Sequence, residues 1–425
     1  MRTFTFPSTR LVLLLITAVA VLIGPTFVSA QTETLLYGFS PTGVDGFFPY
    51  AGVTFDKAGN LYGTTLEGGP NGAGTVFELT PNDDGTWTHT VLHNFANDGQ
   101  DGYYPYGGVI FDASGNLYGT TQYGGTFGAG SVYELMPQSG GGWSERVLHS
   151  FGSNGSDGEY ANSGLIMDNA GNLYGTTVNG GNLTGSCDGG AGCGTVFKLS
   201  RLADGSWLET ILHRFNNNGG VDGANPWGAL AFGPYGSLYG TTATGGTHYY
   251  GTVFELTPPS SAGRAWTEAV LHSFNENGVD GTFPEGAVAF DKAGNLYGVT
   301  DSGGAHNNSG AVFKLSPNGT AWTESVIYNF GLTGDAALPT FGNLIFDNAG
   351  NLYGATAGGG SGNGTVYELS KSASGDWTET MLFRFPYTGG LYPQAGLTFD
   401  AEGNLYGTTL QAGANLYGAV FKITP

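Results

Sequence analysis

From residue 31 onward the chain consists of short apolar and aromatic runs separated by Gly, Asn, Asp and Pro. Nowhere in this part does the apolar spacing follow the 3.6-residue period of an amphipathic helix. Between Gly107 and Phe151 four runs follow one another: "GGVIFD", "NLYGTT", "SVYELMP" and "WSERVLHSF". Each is rich in β-branched and aromatic residues and bounded by turn formers, the signature of a strand. The unit then repeats. Its most constant part is the decapeptide "DKAGNLYGTT" at 56–65, which returns at Asp112, Asp168, Asp291, Asp347 and Asp400, and in a weaker form at Gly233 ("GPYGSLYGTT"). Successive copies lie 53 to 65 residues apart.

Four strands in a repeat of this length predict a β-propeller blade. The last unit stops at "GAVFKITP", its third strand, while "QTETLLYGF" at 31–39 aligns with the fourth-strand sequence "WTETMLFRF" at 377–385. The first strand of the chain is therefore expected to complete the last blade. The prediction is an all-β, seven-bladed β-propeller over 31–425, with four antiparallel strands per blade and a closed ring that leaves no long unpaired edge.

Two charged positions recur. Third strands carry Glu78, Glu134, Lys198, Glu255, Lys314, Glu368 and Lys422, where acid and base interchange and no specific chemistry is expected. Outermost strands carry Glu33, Glu145, Glu209, Glu268, Glu324 and Glu379. Charge repeated on an edge strand reads as protection against edge-to-edge aggregation.

Residues 1–30 do not share the pattern. A basic start (Arg2, Arg10), the apolar run "LVLLLITAVAVLI" and a small-residue end at "VSA" predict a secretory signal peptide. Its removal would take the formal net charge from −21 to −23. That acidity excludes nucleic acid as a partner and disfavours anionic membranes, leaving cations, neutral sugars or basic proteins. Cys187 and Cys193, in "CDGGAGC", are expected to form a small disulfide loop, as suits an exported chain. Too few Cys or His stand nearby for a metal site there.

Among candidate functional residues, the Asp that opens each decapeptide reads as part of a tight hairpin, with too few oxygen ligands for a calcium loop. His93, His149, His213 and His272 share a position with Tyr37, Tyr328 and Phe383, so an aromatic-sized filler is the expected role. The motif "D-G-x-x-P" between units brings Asp45, Asp101, Asp157 (in "DGEYA", with Ala161 in place of the Pro), Asp222 and Asp280, with Asp335 in a degraded "DAALP" copy; "GGLYP" lacks the acid. It follows the outermost strand and precedes the innermost. It is therefore either an Asp-Gly turn or part of a carboxylate ring at the channel mouth. Gly-Gly loops between second and third strands should open on the same face. Aromatics accompany both sets, Tyr104, Trp227 and Tyr249 among them, and aromatics beside carboxylates suit sugar faces and hydroxyls.

The combination D-x-x-G-N-L-Y-G-T-T, G-T-V-[FY]-[EK]-L and W-x-E-x-V-L-H-x-F resembles the bacterial extracellular tandem-repeat family GloVer (Gloeo/Verruco), over nearly all of 31–425. The resemblance implies export and a repeat architecture, but no activity. Some of that family carry C-terminal sorting anchors. None is read at "FKITP", so free secretion or periplasmic residence is expected. The "D-x-x-G-N-L-Y" part alone is similar to NHL and gluconolactonase-like propellers, which carries over the hairpin and no catalytic residue.

The expectation is a secreted, monomeric binding module for a carbohydrate or extracellular protein. Its candidate ligand residues are Asp45, Asp101, Asp157, Asp222, Asp280, Asp335, Tyr104, Trp227 and Tyr249. No catalytic residue, metal ligand or cofactor is expected, beyond room for a structural calcium ion. The rivals are a carbohydrate-active hydrolase or lyase with an acidic channel mouth, and a purely structural envelope or matrix protein.

Overall fold

The computed structural model describes residues 31–425 apart from 41, 183–186, 188–189, 218–220, 262, 320, 333–334, 340, 360–361, 387–389 and 412–415. The expected signal peptide lies outside the described residues. Seven four-stranded antiparallel sheets form a seven-bladed β-propeller. In the second blade the strands run Ile110–Phe111, Leu117–Thr121, Ser131–Pro137 and Trp143–Ser150, from the axis outward. In the seventh, Thr398–Phe399, Leu405–Thr409 and Ala419–Thr424 are completed by the first strand of the chain, Thr32–Gly38.

The decapeptide makes the hairpin between the first two strands. Asp56 Oδ1 accepts from the Ala58 and Asn60 amides, and Oδ2 from the Asn60 side chain and the Tyr62 hydroxyl. The carboxylate is consumed inside the turn, and Asp112, Asp168, Asp291, Asp347 and Asp400 repeat the arrangement. In the fourth blade Gly233 stands in place of the acid, and the Tyr239 ring occupies the space that a Cβ there would take.

The two threonines of "GTT" act in different directions. The second pairs with a hydroxyl at the start of the third strand, as in Thr65–Thr75 at 2.8 Å. The first donates to a carbonyl of the next blade: Thr64 to Gly107, Thr120 to Ser163, Thr241 to Gly286, and Thr408 to Ala51 across the ring closure. Between blades, the fully buried phenylalanines Phe77, Phe95, Phe151, Phe197, Phe215, Phe254, Phe274, Phe313, Phe330 and Phe385 form the apolar core. They meet edge-on in pairs such as Phe151–Phe197 at 5.0 Å.

The third-strand charges do have a common role, contrary to expectation. Glu78 and Glu134 accept from the hydroxyls of Tyr62 and Tyr118. Lys198, Lys314 and Lys422 lie over the rings of Tyr174, Tyr297 and Tyr406 at 5.4–5.7 Å. A tyrosine offers both a hydroxyl donor and a π face, so either sign of charge finds a partner there.

The closing strand covers an edge whose side chains Val420, Phe421 and Ile423 are fully buried. Deleting residues 31–39 should abolish the single cooperative melting transition and cause concentration-dependent aggregation, followed by calorimetry and light scattering. An unchanged melt would show that the ring does not need its closing strand.

Candidate functional site

The D-G-x-x-P turns and Gly-Gly loops share one face and are bonded to each other. Gly102–Tyr103 pairs with Tyr123–Gly124, and the same two-residue ladder recurs at Gly158–Glu159, Gly223–Ala224, Gly281–Thr282 and Ala336–Ala337. The residue before each turn proline has positive φ, as does Tyr160 before Ala161 in the third unit: Phe48, Tyr104, Tyr160, Asn225, Phe283, Leu338 and Tyr392. The conformation lets one residue bond in two directions. The Tyr104 amide donates to Ala73 of the preceding blade, and its carbonyl accepts from Gln122 of its own. Tyr104 is thus an interblade connector whose ring packs on Tyr103 and Tyr123. Tyr249 stands exposed on its Gly-Gly loop. The Cys187–Cys193 disulfide forms as expected, and both residues pack into the core between the third and fourth blades.

The D-G-x-x-P aspartates turn away from the axis. Asp45 takes the Tyr37 hydroxyl at 2.6 Å, and Asp101, Asp222 and Asp280 meet His93, His213 and His272 at 3.1–3.4 Å. Asp335 takes the Tyr328 hydroxyl at 3.1 Å, and Asp157 lies 3.6 Å from His149. The unit that lacks the acid has Phe383 at the aromatic position, so the polar aromatic and the Asp occur together. The His position is therefore more than a filler. Beside every pair but Tyr37–Asp45 comes the outermost-strand Glu of the next blade: Glu145, Glu209, Glu268, Glu324 and Glu379. These glutamates do not face solvent as an anti-aggregation edge. Each is partly buried between blades, with Oε1 shielded from water and without a hydrogen-bond partner.

A β-bulge sends Glu and His to opposite blade faces. Along an unbroken strand Glu145 and His149 would project from one face. In every blade the register slips by one residue between them, as at Val132↔His149 and Tyr133↔Val147. Glu145 therefore faces the blade before and His149 the blade after. Burial, followed by the charge of the nearby Asp, drives Glu145 and Glu268 up to about 7. Burial likewise drives Glu209 and Glu324 to about 7, although the adjacent histidine opposes it. Glu379, buried beside Asp335, rises to about 8.

The axis itself carries a different set. A cavity of about 510 Å³ runs along the innermost segments. Its end nearer the D-G-x-x-P turns is lined by one residue from each of six blades, Tyr50, Tyr106, Asn162, Trp227, Glu285 and Phe341, and Gln394 holds the equivalent sequence position in the seventh. Four of these converge, with Tyr50–Tyr106, Trp227–Phe341 and Tyr106–Trp227 ring centroids at 4.5, 5.7 and 6.3 Å. Asn162 is 6% exposed, and neither its Oδ1 nor its Nδ2 has a partner; Gln394 Oε1 is in the same state. Burial raises Glu285 to about 7. Of this ring, Trp227 was legible as a ligand candidate. Asn162, Glu285, Phe341 and Gln394 were not, although aligning the units shows a position, three before the inner-strand Val or Leu, whose residue type changes through most of the ring.

The family model for the Gloeobacter/Verrucomicrobia repeat matches residues 26–187 and 183–421. The chain belongs to this repeat family. No curated protein matches it. Among solved structures it is similar to an ancestral GH74 enzyme (TM-score 0.57, 12% identity, 89% of this chain and 47% of that one). It is also similar to PorZ, a surface component of the type-IX secretion system of Porphyromonas gingivalis (0.52, 16%, 91% and 47%). A third is a protein of Bacteroides uniformis assigned as a 6-phosphogluconolactonase (0.51, 14%, 82% and 88%). The chain spans less than half the length of the first two, and at these identities the likeness is one of fold. No helix among the described residues is long and apolar enough to cross a membrane.

Because these glutamates sit above the 4.5 of a free carboxyl, the unfolded chain releases their protons first as pH rises. The stability they contribute is complete below about pH 4.5 and is lost as pH climbs through about 7. In chelator-containing buffer the melting temperature should fall between pH 5 and pH 8. The triple variant E209Q/E268Q/E324Q should flatten that slope, and an identical slope would refute the assignment.

Proposed function

We propose that the protein is an extracellular carbohydrate-binding module whose ligand enters the axial mouth on the face of the D-G-x-x-P and Gly-Gly loops. The observation that carries the reading is the axial ring. Its aromatic faces (Tyr50, Tyr106, Trp227) suit the apolar face of a sugar, and the unpartnered amide atoms of Asn162 suit its hydroxyls. Tyr249 and the Tyr103–Tyr104–Tyr123 group extend that apolar surface outward over the loops. The aspartates Asp45, Asp101, Asp157, Asp222, Asp280 and Asp335 act in this reading as supports for the loops. The disulfide is consistent with an oxidising compartment. No cofactor is required, and a monomer suffices because the cavity lies within one ring.

A hydrolase is the weaker reading. Glycoside cleavage in its common form uses two carboxyl groups about 5–9.5 Å apart. Among the described residues lining the cavity, Glu285 is the one carboxylate. A surface-scaffold role is the outcome left if no small ligand binds.

A glycan array probed with the purified protein should give selective signals for neutral polysaccharides. Trp227→Ala should weaken the affinity for a hit by tenfold or more while shifting the melting temperature by only a few degrees. An array blank for the parent protein, or equal binding by the variant, would overturn the reading.

A further inference from the structure

Among the described residues, three successive interblade junctions each bring a histidine, an aspartate and a glutamate together. They are His149–Asp157–Glu209, His213–Asp222–Glu268 and His272–Asp280–Glu324. Each junction offers one imidazole nitrogen and two carboxylate oxygens, all within 4.8 Å of one another. The histidine and aspartate come from one blade and the turn after it, and the glutamate from the next blade.

The first junction is the most telling. His149 Nε2 is buried and makes no hydrogen bond, and it lies 3.6 Å from Asp157 Oδ1 and 3.7 Å from Glu209 Oε2. These separations are too long for hydrogen bonds. They are close to the edge of a tetrahedron with metal–ligand bonds of about 2.0–2.2 Å, which is about 3.3–3.6 Å. The corresponding His–Asp separations at the other junctions are 3.4 and 3.2 Å. At the third, Asp280 is only 6% exposed in its side chain and leaves Oδ1 unpartnered, as Glu324 leaves Oε1.

The other junctions serve as internal comparisons. Between the fifth and sixth blades the Tyr328 hydroxyl spans Asp335 at 3.1 Å and Glu379 at 3.3 Å, filling with a proton donor the gap that His149 leaves open. At the ring closure Tyr37 bonds Asp45, and His89 stacks on Tyr37 at 4.4 Å in place of a glutamate. Where the histidine is absent the three-ligand set is absent, and histidine alone does not suffice: His93, Asp101 and Glu145 meet between the first and second blades without bringing one donor atom of each within 4.8 Å of the others.

We propose that the three His–Asp–Glu junctions bind first-row divalent cations, with zinc as the best-suited ion, and that the ions staple the outermost strands of the second to fifth blades. An imidazole nitrogen in each set favours zinc over calcium, which takes oxygen ligands. Two carboxylates balance the charge of a divalent ion, so the metal replaces the proton that such a buried pair otherwise has to share. At the first junction the Arg214 guanidinium also acts on Glu209, and its positive charge opposes binding there. Water completes each coordination sphere.

The test uses the full secreted chain stripped with EDTA and dialysed against zinc chloride. Three zinc ions per chain are expected by elemental analysis, with a rise in melting temperature and a proton released for each ion bound. E209Q, E268Q and E324Q should each remove one equivalent. The triple variant should remove all three together with the thermal shift, while circular dichroism still shows the folded ring. Gln has the size of the neutral Glu side chain, so folding and binding are separable. A parent that binds no zinc, or a folded triple variant that binds as much as the parent, overturns the proposal. A single variant that leaves the count unchanged overturns it for that junction.

Discussion

Seven inner strands must converge on one axis, and there is little room where they do. A Cβ on Gly52 would strike the Gly396 carbonyl of the neighbouring blade, and a Cβ on Gly107 or Gly228 would strike Ser163 or Gly286. This backbone-to-backbone approach brings the carbonyls within reach of the first threonine of "GTT". It also decides which axial position is free to vary. The residue just outside the close contact projects into the channel. One position therefore holds aromatic, amide and carboxyl side chains in turn, while its neighbours stay small.

Away from the axis the blades diverge, and packing there depends on polar groups as well as phenylalanine. Five of the seven wedge-shaped gaps hold a His or Tyr, the Asp of the following turn and the Glu of the next blade, as at His149 and Tyr328. Burying carboxylates in pairs is unfavourable unless a proton, a hydroxyl or a cation lies between them. The structure contains the hydroxyl solution at the Tyr328 junction. Three histidine junctions place an imidazole nitrogen there instead, so the same wedge is closed at one interface by a hydroxyl that bridges both carboxylates and at the others by a ring nitrogen beside them.

Most of the fold was readable in one dimension. Seven copies of a four-run unit, with the fourth run of the last unit displaced to residues 31–39, allow one closed arrangement. The decapeptide hairpin was readable as well, because Asp, Gly and Asn satisfy each other locally. The site was read less well. The D-G-x-x-P aspartates looked like a channel-mouth ring because the segment does lead toward the axis, yet their side chains turn outward to His and Tyr. The glutamates looked like edge charges because their strands are outermost, yet the side chains face the preceding blade.

The reason for this divide is range. Periodicity, turn chemistry and repeat count are local properties, and the sequence by itself determined the strand order, the blade number, the closure and the disulfide. Which face of a blade a side chain occupies depends on a one-residue slip in pairing between third and outermost strands. That slip leaves no mark on the alternation of apolar and polar residues. Only the tertiary structure decided it, because the groups that the slip brings together lie on neighbouring blades, with each histidine of the three sets meeting a glutamate 52 to 60 residues away.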